Sequence, residues 1–145
     1  MKKLIILTCL FATLSVAASD PREVSEKVLN AFNKTFVKAT EVVWHETQNL
    51  FEASFKQSEI ISRAIYDKEG NLVRTTRYYS QENLPINILI KLQKKYAGKS
   101  VYGVTELSTE EQVSYQITMQ DEKNWYIIKA DNWGSLELEQ KYKKA

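Results

Sequence analysis

Two stretches of the chain, sixty-four residues apart, carry one pattern. Ile65 to Tyr79 reads IYDKEGNLVRTTRYY, and Lys129 to Tyr142 reads KADNWGSLELEQKY. In both, Asp stands three residues before Gly, a small polar residue and Leu come next, and a Tyr follows a basic residue. Asp favours entry into a turn, and Gly supplies the positive φ that a tight turn needs. Each stretch therefore reads as strand–turn–strand. A repeat of this kind restricts the fold more than any other property of the chain.

The repeat extends well beyond the hairpins. Val24, Val28, Phe32 and Phe36, with Leu29 beside them, make one apolar stripe at helical spacing. Asp20, Pro21 and Glu23 supply start signals, and the spacing predicts a helix that ends near Lys38. Sixty residues on, Leu84, Ile88, Leu92, Tyr96 and Leu89 repeat the stripe, with Asn83 and Pro85 at its start and Gly98 at its stop. Period-two rows follow each helix. Val42 and Trp44 match Tyr102 and Val104, and Phe51, Ala53 and Phe55 are answered by Val113, Tyr115, Ile117 and Met119. The offset of 60 is read as far as Phe55 and Tyr115 and then becomes 64, as if four residues were added near Asp121 to Asn124.

The expected fold is α+β. Two tandem helix-plus-four-strand repeats, 19–82 and 83–145, form one large antiparallel sheet in one compact domain. A unit of about 60 residues is marginal alone, so the halves are expected to join sheet edges and set both helices on one face. The other face stays open, as the alternation of apolar and polar residues implies.

Residues 1–18 read as a secretory signal peptide. Lys2 and Lys3 precede an uncharged run from Leu4 to Val16, too short for a membrane span, and small residues close it at Ala17 and Ala18. Cys9 lies inside that run behind Thr8, without the small-residue context of a lipid-attachment site. The expected location is periplasmic or secreted, with no stable membrane insertion after cleavage. The chain has 20 basic and 18 acidic residues, so losing Lys2 and Lys3 leaves 18 of each. That balance argues against a nucleic-acid partner, which needs a basic surface. Lys91, Lys94, Lys95 and Lys99 read as the wetted face of a helix. Without Cys9 no cysteine remains, so stability must rest on an apolar core.

With the hairpins YDKEGNLV and ADNWGSLE, the strand EVVWHE (41–46) and the leader, the chain resembles the PepSY-like, beta-lactamase-inhibitor-like secreted proteins of Bacteroidetes. The resemblance covers Asp20 to Lys144 and implies an exported binding or inhibitory module without enzymatic activity. It matches no inhibitory residue onto this sequence one by one, and therefore carries no inhibitory activity with it.

No catalytic constellation is legible. His45 is the only histidine, and no nucleophile on a strained turn is readable near it. Carboxylates alone would have to complete a zinc site. Asp67, Glu69 and Asp131 fit hairpin chemistry better than a calcium loop. No cofactor is expected. The remaining signal is aromatic: Tyr78-Tyr79 and Trp125-Tyr126 are adjacent pairs whose members must face opposite ways, and Trp133 stands at a hairpin tip. Tyr, Trp and Arg carry much of the energy of protein interfaces. The expected contact residues for an unidentified protein or peptide partner are Trp133, Tyr79, Tyr126, Arg63, Arg74 and Arg77. The alternative is a carrier of a small apolar ligand between sheet and helices. The chain itself is expected to be a monomer or a weak dimer.

Overall fold

The structure is a computed structural model and describes residues 24–145. The leader, Cys9 and the Asp20–Glu23 start signals lie outside the described residues. The chain runs α1 (Glu26–Thr35), β1 (Thr40–Thr47), β2 (Leu50–Gln57), β3 (Ile60–Tyr66), β4 (Leu72–Tyr79), α2 (Ile86–Lys95), β5 (Ser100–Thr109), β6 (Val113–Gln120), β7 (Asn124–Asp131) and β8 (Leu136–Lys143). All eight strands form one antiparallel sheet in chain order, and β4 pairs with β5 where the two halves meet. The fold is α+β, with one element order, helix then four strands, run through twice.

Helix α1 is capped by Ser25, whose side chain accepts the Val28 N–H at 3.4 Å, and it stops at Thr35 rather than near Lys38. Its register buries Val28 and Phe32. Helix α2 starts after Pro85, which has no N–H to leave unpaired, and buries Ile88 and Leu92.

Two separate cores result. One gathers Val24, Val28 and Phe32 against Trp44, Phe51, Ala53, Phe55, Ala64 and Tyr66. The other gathers Leu84, Ile88 and Leu92 against residues of β5, β6 and β7, Ile117 and Ile128 among them. Strand β3 shows that both lie on one face. Its buried residues Ile60, Ser62, Ala64 and Tyr66 alternate along an unbroken register, so all four point the same way. Ile60 belongs to the α2 core, while Ala64 and Tyr66 belong to the α1 core. Both helices therefore cover the same face.

Registration moves the four extra residues. Trp44 pairs with Ala53 in the first half, and Val104 pairs with Ile117 in the second. Ala53 then pairs with Ala64, and Ile117 with Ile128, at equal spacing. The insertion thus lengthens the β5–β6 hairpin and does not lie at Asp121–Asn124. Tyr115 corresponds to Phe51 rather than Phe55. An even insertion leaves the alternation intact, so period-two rows cannot reveal where it falls.

The two repeated hairpins clasp the helices. Asp67 accepts the Asn71 N–H and the Asn71 side-chain amide, each at 2.8 Å. Asp131 accepts the N–H groups of Trp133 at 2.9 Å and Ser135 at 2.8 Å. Gly70 (φ +87°) and Gly134 (φ +79°) hold the left-handed positions, and a Cβ at either would meet the helix beside it, at Lys27 O or Lys91 Nζ, both at 3.1 Å.

Candidate functional site

The sheet face away from the helices is uncovered among the described residues. In the first half it presents Ile61, Arg63 and Ile65 on β3, registered against Tyr78, Thr76 and Arg74 on β4. The Arg63 guanidinium lies 5.9 Å from the centroid of the Tyr78 ring, and its Nε is 3.9 Å from a Glu52 carboxylate oxygen. His45 pairs with Glu52 on this face and helps line a shallow hollow with Leu50 and Ile65. Among the described residues no three His, Cys, Asp or Glu side chains cluster in a way that could hold a metal ion.

The second half carries a row of rings. Trp125 is the second residue of β7, and its Cα partner across the strand pair is Tyr142 on β8. A bulge in β5 between Val101 and Gly103 turns Tyr102 toward the same side, where its ring meets Trp125 edge-on at 4.9 Å between centroids. Tyr102 is 66% exposed and Tyr142 49%. Lys144 Nζ sits 4.6 Å from the Trp125 centroid, at the distance of a cation–π contact.

The residues expected from the sequence do not form one surface. Arg63 and Arg74 are on the open face. Tyr79, Arg77 and Tyr126 are on the helix face, as their pairing with Val104, Glu106 and Met119 requires. Tyr79 and Tyr126 are buried, so the outward members of the two aromatic pairs are Tyr78 and Trp125. Trp133 is exposed at the tip of the β7–β8 hairpin, at the far end of that hairpin from Trp125, and its carbonyl accepts from Lys91 Nζ of α2 at 2.9 Å. Parity counted back from the apolar residues Ile128 and Ala130 places Tyr126 inward. In β4, LVRTTRYY has no apolar alternation from which to count.

The inward polar residues form a seam between the two cores. Glu106 accepts from Arg77 Nη1 at 3.1 Å and from the Tyr79 hydroxyl at 2.5 Å. Burial, reinforced by the bond to Glu106, raises the Tyr79 hydroxyl far above the ordinary tyrosine value. Asp121 is held well below the usual carboxylate range, chiefly by the Tyr126 hydroxyl that donates to it at 2.6 Å.

No protein-family model and no curated protein sequence matches the chain. Solved structures do. A BLIP-like protein from Bacteroides fragilis superposes with a TM-score of 0.63 at 19% identity, covering 83% of this chain and 84% of that one. A DUF2874 family protein from Bacteroides uniformis gives 0.61 at 17% identity over 82% and 88% of the two chains. A protein of Bacteroides eggerthii, provisionally called periplasmic, gives 0.62 at 16% identity over 83% and 88%. The fold is similar to theirs. At these identities the likeness speaks for the fold alone.

Proposed function

We propose that the chain is a non-enzymatic exported binding module that grips a protein or peptide on its open sheet face. One observation carries this reading: Tyr102, Trp125 and Tyr142 stand together as a row of rings on a sheet face that no described element covers. Large rings left on a bare pleated surface are the side chains that anchor interfaces. Arg63 and Arg74 add planar donors elsewhere on the same face. The leader-like start and the BLIP-like and periplasmic neighbours support export and a binding role. Apolar cargo carried directly beneath either helix is the weaker reading, because Val28 under α1 and Ile88, Leu92 and Ile117 under α2, all at 0% exposure, fill those two spaces.

The test is retention of a partner from periplasmic extract on immobilised protein. Wild type and His45→Ala should hold one stoichiometric protein, and Trp125→Ala combined with Tyr142→Ala should lose it with its thermal melt unchanged. Equal retention by the double variant would remove the ring row from the interface.

A further inference from the structure

The helix face holds a second feature, independent of the open-face reading. The α1 and α2 cores share no buried residue, and between them the sheet floor is left partly bare. A half-enclosed cavity of about 310 Å³ opens there beside the C-terminal end of α1. Phe36 and Phe55 from one core and Ile60 from the other give it an apolar wall. Ser62, Thr75 and Arg77 line its other side. Its volume lies at the lower end of the range of small-molecule pockets.

Ser62 stands on the polar side of this cavity. It is 5% exposed, the one buried polar residue among the described residues, and its side chain makes no hydrogen bond to another described residue. Its hydroxyl meets solvent through the cavity, since among the described residues only the Tyr66 hydroxyl is both fully buried and unpaired. Arg77 is the only ionisable group of the lining; it spends Nη1 on Glu106, and a guanidinium has five N–H donors. The polar side is thus rich in donors, with the Arg77 charge partly offset by Glu106 and further N–H groups left on the guanidinium, and the opposite side is apolar. We infer that this cavity binds a small amphipathic carboxylate, its carboxylate toward Arg77, Ser62 and Thr75 and its alkyl body against Phe36, Phe55 and Ile60. A medium-chain fatty acid has that chemistry.

Calorimetric titration of the purified protein with octanoate and with 1-octanol tests this. Octanoate should bind saturably at one site, about tenfold or more tighter than octanol, since a charge-assisted bond to Arg is worth that much. Arg77→Gln should bring octanoate down to the octanol level and leave octanol binding unchanged. Thr75→Leu, which fills the cavity from its floor, should abolish both. Trp125→Ala should leave octanoate binding intact, so failure on the open face and failure here are separable. Lack of saturation at millimolar octanoate, equal affinity for octanol, or binding that survives Thr75→Leu would each overturn the site.

Discussion

Single carboxylates do much of the local work in this chain. Asp67, Asp121 and Asp131 each gather hydrogen bonds at a turn, and each is held below the ordinary aspartate value by them. The cause differs slightly: the Asn71 side chain leads at Asp67, the Tyr126 hydroxyl at Asp121, and the Ser135 N–H at Asp131. A carboxyl whose folded pKa lies below its unfolded value of about 3.9 adds stability that is complete well above that pH. The contribution is lost as pH falls through about 4 toward the depressed folded values. Urea midpoints should therefore drop between about pH 5 and pH 2. Asp121→Asn with Asp131→Asn should lower the midpoint at neutral pH and flatten that acid limb. A limb parallel to wild type would show that these turns do not set it. The turn roles of Asp67 and Asp131 were legible from spacing to Gly. The capture of Asp121 by Tyr126 was not, because it depends on where an inward ring ends.

Among elements, helix α1 and the β7–β8 hairpin make contrasting uses of large rings. Phe32 is 3% exposed and packs among Phe36, Trp44, Phe55 and Tyr66, with centroid distances from 5.1 to 6.5 Å. Trp133 is 79% exposed, and the turn that carries it is held by the Asp131 carboxylate and by Lys91, both acting through backbone groups. Phe32→Ala should cost about 3–5 kcal/mol, the range for deleting a buried aromatic side chain. Trp133→Ala should change the melting temperature little, since none of those bonds uses the indole. Chemical denaturation of the two variants side by side checks the contrast, and a comparable loss in both would place the indole in the core. The helical stripe is enough to mark Phe32 as a core residue. The β4 strand shows the opposite case: Arg74 and Arg77, three apart, must face opposite sides, and only strand pairing decides which of them faces the helices.

At the scale of the whole molecule, one continuous sheet carries two cores, and β3 is the strand that contributes buried residues to both. Perturbing one core should be felt unevenly. Native-state hydrogen exchange of Phe32→Ala should speed the amides of β1–β3 more than those of β6 and β7, and uniform acceleration would mean that the seam transmits fully. Periodicity by itself determined the element types, the helix faces and the repeated order, because burial of one stripe or one row is a local demand on side-chain spacing. Tertiary pairing alone decided where the four inserted residues fall, which ring of the Tyr78-Tyr79 pair faces outward, and that Tyr102, Trp125 and Tyr142 share a surface. Those outcomes rest on hydrogen-bond register between strands distant in sequence. An even shift of register leaves every alternation unchanged, so the pattern of residues holds no record of it.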